Sequence, residues 1–209
     1  CNIMFDPIII IAILVAFALG GILKGATGAG APIITIPVIA AFYDVRVAVV
    51  IMVIPNLLTN IGQLYQFRKT IMPRFFTVSF ALGGGLGALL GTILLANLSI
   101  KTLTLAVAFI ILIYISLKLI IPTWKLNYTN AKKLVFLMGA GGGVLQGAAG
   151  LSAPISLTFL NSMKLERNQF IPTISVYFGV MSLFQMPALY FYKFLNIDTL
   201  IISCLSTIV

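Results

Sequence analysis

The feature that most restricts this chain is its succession of long apolar runs. Residues 7–23 are 17 consecutive apolar or small side chains. Residues 47–67, 75–96, 103–121 and 170–192 continue in the same character. About 20 such residues cross the ~30 Å hydrocarbon layer as a helix. A cleaved signal peptide would look like the first run, but the later runs argue against one. The expected fold class is therefore all-α, a polytopic integral membrane protein. Composition agrees: of 209 residues, 61% are hydrophobic and 8% charged, whereas soluble domains are about a quarter charged. The net charge of +9 would suggest a nucleic-acid partner in a soluble protein. Here it fits cytoplasmic loops rich in Lys and Arg, and no nucleic acid is expected.

Two glycine-rich breaks interrupt the pattern, at residues 25–32 and 147–154. Behind each lies a short apolar piece, residues 31–42 and 155–160. At ~1.5 Å per residue the first reaches about 18 Å, too short to span, so it reads as a half-helix. Pro32 suits its first turn. The two breaks also repeat one another. Residues 20–33 lie over 142–155 at an offset of 122 with no gap, and nine of the 14 positions are identical. The same offset pairs Asp44 with Glu166, Asn60 with Ser182 and Gln63 with Gln185. Internal repeats with interrupted helices are the usual build of a secondary transporter. Residues 1–122 form the first repeat, 123–133 a cytoplasmic linker, and 134–209 a second repeat cut short at its C-terminal end. The offset predicts roughly 40 further residues in a complete second copy.

A repeat of five segments, or three crossings plus a re-entrant hairpin, is odd, so the second copy should be inverted. Charge points the same way. Arg68, Lys69 and Arg74 mark one loop as cytoplasmic, and Lys125, Lys132 and Lys133 mark the linker. The Asp44 turn and Asp6 then fall outside, the Lys164–Arg167 turn inside, and Trp124 fits an interfacial belt. Were the first span and its half-helix one broken crossing, the count would be even and the repeats parallel. In the inverted arrangement both half-helices start near the membrane middle and point to opposite faces.

Two such N-termini expose unpaired N–H groups and positive dipole ends, which suits an anion. The glycines at 25, 28, 30, 147 and 150 permit unwound backbone there, or serve helix packing alone. Asn56, Thr59, Asn60 and Gln63 share one helix face, as do Ser175, Gly179, Ser182 and Gln185. Their amides and hydroxyls can bind an oxyanion, or simply join helices. Lys24 is a substrate counter-charge or a side chain snorkelling to the interface; its repeat mate is Gln146. Thr27 and Ser152 add hydroxyls inside the breaks. The candidate substrate-binding set is thus Lys24, Gly25, Thr27, Gly28, Gly30, Asn56, Asn60, Gln63, Gln146, Gly147, Gly150, Ser152, Ser182 and Gln185. The acids are Asp6, Asp44, Glu166 and Asp198, none within a span, and there is no His. That argues against metal sites, paired-carboxylate chemistry and an intramembrane lipid-phosphate enzyme, so no cofactor and no catalytic residue is expected. A passive anion channel remains an alternative to a carrier.

Taken together, Gly-x-Thr-Gly-x-Gly at 25–30, Pro37, the polar span from Asn56 to Arg68, the glycine stripe Gly83, Gly87 and Gly91 and the second motif at 147–154 resemble the sulfite exporter TauE/SafE family of membrane permeases. The resemblance covers nearly the whole chain. It implies a multi-pass bacterial inner-membrane permease for sulfite, organosulfonates or related sulfur-containing anions. The partners implied are a small anionic solute and the lipid bilayer, with a homo-oligomer possible.

Overall fold

The computed structural model describes residues 7–120 and 125–207. The expected positions of Asp6 and Trp124 lie outside the described residues. Those described are helical and connecting segments with no strand. In chain order the helices are α1 (Pro7–Thr27), α2 (Ala31–Phe42), α3 (Val45–Phe67), α4 (Arg74–Asn97), α5 (Ile100–Ile120), α6 (Tyr128–Ala149), α7 (Ala153–Ser162), α8 (Arg167–Phe191) and α9 (Ile197–Leu205). A single 3-10 turn, Arg68–Thr70, extends α3. Among the described residues, four stretches are long and apolar enough to cross a membrane: Ile8–Thr27, Val45–Thr70, Arg74–Asn97 and Arg167–Phe191. Their outer faces are strongly apolar, with Leu119 of α5 76% and Phe191 of α8 78% exposed. Such a surface needs lipid around it rather than water.

Helix ends at the loops are capped in the ordinary way. The Asp44 carboxylate accepts from the Val47 N–H (2.9 Å) and the Asn127 carboxamide from the Asn130 N–H (3.0 Å). Asn196 and Thr199 form a reciprocal capping box. The cap at Asn127 starts α6 well before the apolar run that begins at residue 134. Lys132 and Lys133, read as linker, are helical. Apolar run length locates only the hydrocarbon-depth part of a helix, and the interfacial first turns carry charge.

Matching helices of the two repeats lie side by side in opposite directions. Asn56 of α3 meets Ser182 of α8, and Gln63 further along α3 meets Ser175 earlier in α8. These two helices are mates under the offset of 122, so the axis relating the repeats runs across them, as inversion requires. By contrast α4 and α6 run parallel: Gly83 abuts Phe136 and Ala140, Gly87 abuts Ala140 and Val144, and Gly91 abuts Val144 and Ala148.

The parallel pairing brings both basic loops to one end. The Lys164–Arg167 turn joins them, since Leu126 N–H donates to the Ser162 carbonyl (2.8 Å) and the Thr70 hydroxyl to the Asn168 carbonyl. Arg68, Lys69, Arg74, Lys125, Lys132, Lys133, Lys164 and Arg167 all cluster there. Asp44 stands at the opposite end. Beside it Arg46 donates to the carbonyls of Leu95 (3.1 Å) and Leu98 (2.7 Å) at the end of α4.

The breaks are shorter than the glycine-rich stretches suggested. Residues 25–27 and 147–149 stay helical, and the chain unwinds only at 28–30 and 150–152. Gly28 and Gly150, repeat mates, each close the preceding helix in a left-handed conformation (φ 81° and 71°). Their N–H groups donate to the carbonyls of Lys24 (2.7 Å) and Gln146 (2.8 Å), the αL cap that an L side chain rarely adopts. Gly25 and Gly147 have no such conformation to supply, and the helical hydrogen bonds run through them.

Candidate functional site

The half-helices α2 and α7 share with α4 and α8 an N-terminus that no side chain caps, but theirs alone among these four is buried. Neither Gly30 nor Ser152, the residues before them, caps through a side chain. Pro32 and Pro154 follow at the second positions and bring no N–H of their own. The ends are nonetheless inside the protein: Gly30 and Pro32 are buried, as are Ser152 and Ala153. Helix starts buried without caps leave positive dipole ends uncompensated. Both line one small chamber, with Gly30, Pro32 and Ile33 on one side and Leu151, Ser152 and Ala153 on the other. Gln146, Leu157 and Phe178 complete it. Its volume of about 10 Å³ is water-sized.

A much larger cavity of about 500 Å³ adjoins the chamber and shares Gly30, Ile33 and Leu157 with it. It runs toward the basic end, lined further by Thr27, Asn161, Arg167 and Phe170. The Arg167 guanidinium donates to the Gly25 carbonyl (3.0 Å) at its mouth. The repeat mates of Thr27, Asn161, Arg167 and Phe170 are Ala149, Ile39, Val45 and Ala48. All four mates are buried. Among the described residues the cavity thus opens toward the basic end, while the repeat mates of its lining are packed away.

The polar faces behave unequally. Asn56 donates to the Ser182 hydroxyl (3.1 Å), and Asn60 donates to the Asn56 side chain (3.0 Å). Gln63 lies nearer the basic end, donating to the Lys24 carbonyl (3.4 Å) and accepting from Ser175 (3.3 Å). From the antiparallel pairing, its mate Gln185 is about 15 Å away along the helices at ~1.5 Å per residue. The symmetric glutamines therefore do not share one pocket. Oδ1 of Asn60, Oε1 of Gln146 and Nε2 of Gln185 are buried without a hydrogen-bond partner. Each such atom costs ~1–3 kcal/mol of desolvation.

Lys24 does not snorkel. Its side chain is 5% exposed, and its ammonium rests 5.7 Å from the centroid of the Phe178 ring. Phe178 lies 11 residues into α8, so the ammonium is ~16 Å from that helix's basic-end start at ~1.5 Å per residue. Side chains lean toward a helix's N-terminus, and that of α1 is at the far end, so this lysine is aimed inward. Thr27 is exposed in the vestibule and its hydroxyl donates to the Leu23 carbonyl (2.8 Å). Ser152 accepts from the Ser156 hydroxyl (3.2 Å) beside the chamber.

Gly25 and Gly147 take other places. Gly25 is exposed on α1. Gly147 faces α4, where a Cβ would come 2.2 Å from the Ala88 carbonyl oxygen. The packing role fits Gly147, and the chamber does not include it.

The sequence pattern of the sulfite exporter TauE/SafE family matches residues 12–209. The chain belongs to that family. No curated protein and no solved structure matches it. Membership makes the chain a multi-pass membrane protein of a transporter family, a family whose solutes are sulfur-containing anions. Motif reading missed Phe178, which lines the chamber, and Asn161 and Arg167, which line the vestibule. One signal was available: the offset of 122 pairs Asn56 with Phe178, an aromatic in a polar register.

Proposed function

We propose that this protein is a secondary carrier of sulfite, organosulfonates or related small sulfur oxyanions in the bacterial inner membrane, working by alternating access between its two inverted repeats. The observation that carries this reading is the pair of uncapped, oppositely directed half-helix starts lining one chamber with Gln146, whose Oε1 is unpartnered. Oriented N–H dipoles stabilise an oxyanion without the tight grip of a metal or an ion pair. A flip of the Gln146 amide exchanges its acceptor for a donor.

The open vestibule supports a carrier rather than a pore. Charge bias assigns the basic end to the cytoplasm, which makes this an inward-open form. Exchanging the conformations of the two repeats closes the Arg167 mouth and opens the buried region around Val45 and Ala48. Arg167 and the basic loops draw anions toward the vestibule.

The test is flux in proteoliposomes. Sulfite uptake should saturate, and preloaded sulfite should drive counterflow. Gln146→Ala should lower the flux at least about tenfold, ~1.4 kcal/mol, with the folded yield unchanged. Linear uptake without counterflow would point to a passive channel. Wild-type flux in Gln146→Ala would remove the chamber from the pathway.

A further inference from the structure

Lys24 breaks the symmetry of the two repeats at the depth where symmetry matters most. Its mate is the neutral Gln146. Both stand one turn before the left-handed cap of their helix, and both are 5% exposed. The Lys24 ammonium lies over Phe178, whose ring lines the chamber; Lys24 itself lines a cavity of about 70 Å³ with Asn56 and Thr59, and among the described residues no acceptor takes a hydrogen bond from its ammonium. It has no carboxylate partner among the described residues. Asp44 and Glu166, the acids whose side chains are described, stand at helix starts at opposite ends. A buried cation with neither a counter-ion nor an acceptor is expensive to hold, and its function is therefore sought in what arrives from outside.

We propose that Lys24 sets the charge of the solute: the site takes oxyanions carrying one negative charge and rejects dianions of the same shape. This rests on the anion-carrier reading above. With a monoanion bound, the net charge at membrane depth is zero. With a dianion, one negative charge remains uncompensated. The half-helix dipoles do not repair this, because each is a dipole with its negative end at its own C-terminus and adds no net charge. Desolvation cost grows with the square of the ionic charge, while attraction to Lys24 and the dipoles grows only in proportion to it. A site balanced for one charge is thus unfavourable for two.

Methanesulfonate and sulfate make the comparison, since they differ by a methyl group in place of one charged oxygen. In proteoliposomes at fixed pH the wild type should carry methanesulfonate at least about tenfold faster than sulfate, ~1.4 kcal/mol of discrimination. Lys24→Gln, which installs the residue of the other repeat, should lose most methanesulfonate flux while remaining folded and monodisperse. Gln146→Lys, adding a second charge, should raise sulfate flux relative to methanesulfonate. The double exchange Lys24→Gln with Gln146→Lys should restore methanesulfonate preference, which a merely structural lysine would not do. Equal wild-type fluxes, or an unchanged ratio in folded Lys24→Gln, would overturn the proposal. Sulfite flux without methanesulfonate flux would overturn it and leave the carrier reading standing; no flux of any of the three removes both.

Discussion

Along the α4–α6 contact, Gly83, Gly87 and Gly91 interlock with Gly139, Gly143 and Gly147, so that backbone touches backbone. Along the α3–α8 contact the groups that meet are the amides and hydroxyls of Asn56, Gln63, Ser175 and Ser182. In lipid no hydrophobic force drives helices together, and close packing of small residues supplies the attraction instead. The glycine contact satisfies that need and leaves no room for change. The polar contact includes buried atoms without partners on Asn60 and Gln185, and Gly179 faces open space. One contact is scaffold; the other retains spare hydrogen-bonding capacity and free volume, which the proposed alternating access would use.

Substitutions at the two contacts test that division. The largest effect is expected from Gly143→Leu, because a Cβ there would sit 2.2 Å from the Gly84 carbonyl oxygen. Neither backbone can yield without separating the helices. Overpacking of this kind costs ~1–3 kcal/mol or more, and most of the protein should be lost from the monodisperse fraction in detergent. If Gly143→Leu runs as a folded peak, the scaffold assignment fails. An intermediate effect of opposite sign on stability is expected at Gln185→Leu. Removing a buried amide nitrogen with no partner should raise the melting temperature, reflecting ~1–3 kcal/mol of relieved desolvation, while anion flux falls several-fold. Flux at the wild-type level in that variant would reduce Gln185 to a packing residue. The smallest effect is expected at Gly179→Ala, where a Cβ meets nothing within 4 Å. Yield should be unchanged; a collapse in yield would show that the polar contact is as tightly packed as the glycine one.

The unequal ends of the molecule add a second contrast. Ala149, Ile39, Val45 and Ala48 fill at one end what Thr27, Asn161, Arg167 and Phe170 leave open at the other. Repeats of like sequence have thus settled into unlike packing. That asymmetry is what the proposed alternating access requires.

Much of this was legible in the sequence, for definite reasons. Run lengths gave the spans because the hydrocarbon thickness is fixed. The offset of 122 gave the repeat, and the pairing of Lys and Arg loops gave the inversion. Short pieces at 31–42 and 155–160 followed from length, with Pro32 as a start signal for the first; the second is longer than read, Ala153–Ser162. What sequence could not decide was which glycine does which task. Gly150 and Gly147 sit in the same motif, yet one supplies a left-handed cap and the other a contact with α4, and only the neighbouring helix distinguishes them. Nor could helical periodicity say which amides meet. Gln63 and Gln185 share a register, but antiparallel packing separates them along the axis.

Local pattern fixed the membrane-spanning helices, their repeat and their direction, because those depend on distances within one segment and on the bilayer. The chamber, the open vestibule and the inward course of Lys24 depend on which surfaces of separate helices face one another, a choice made only when the two repeats pack together.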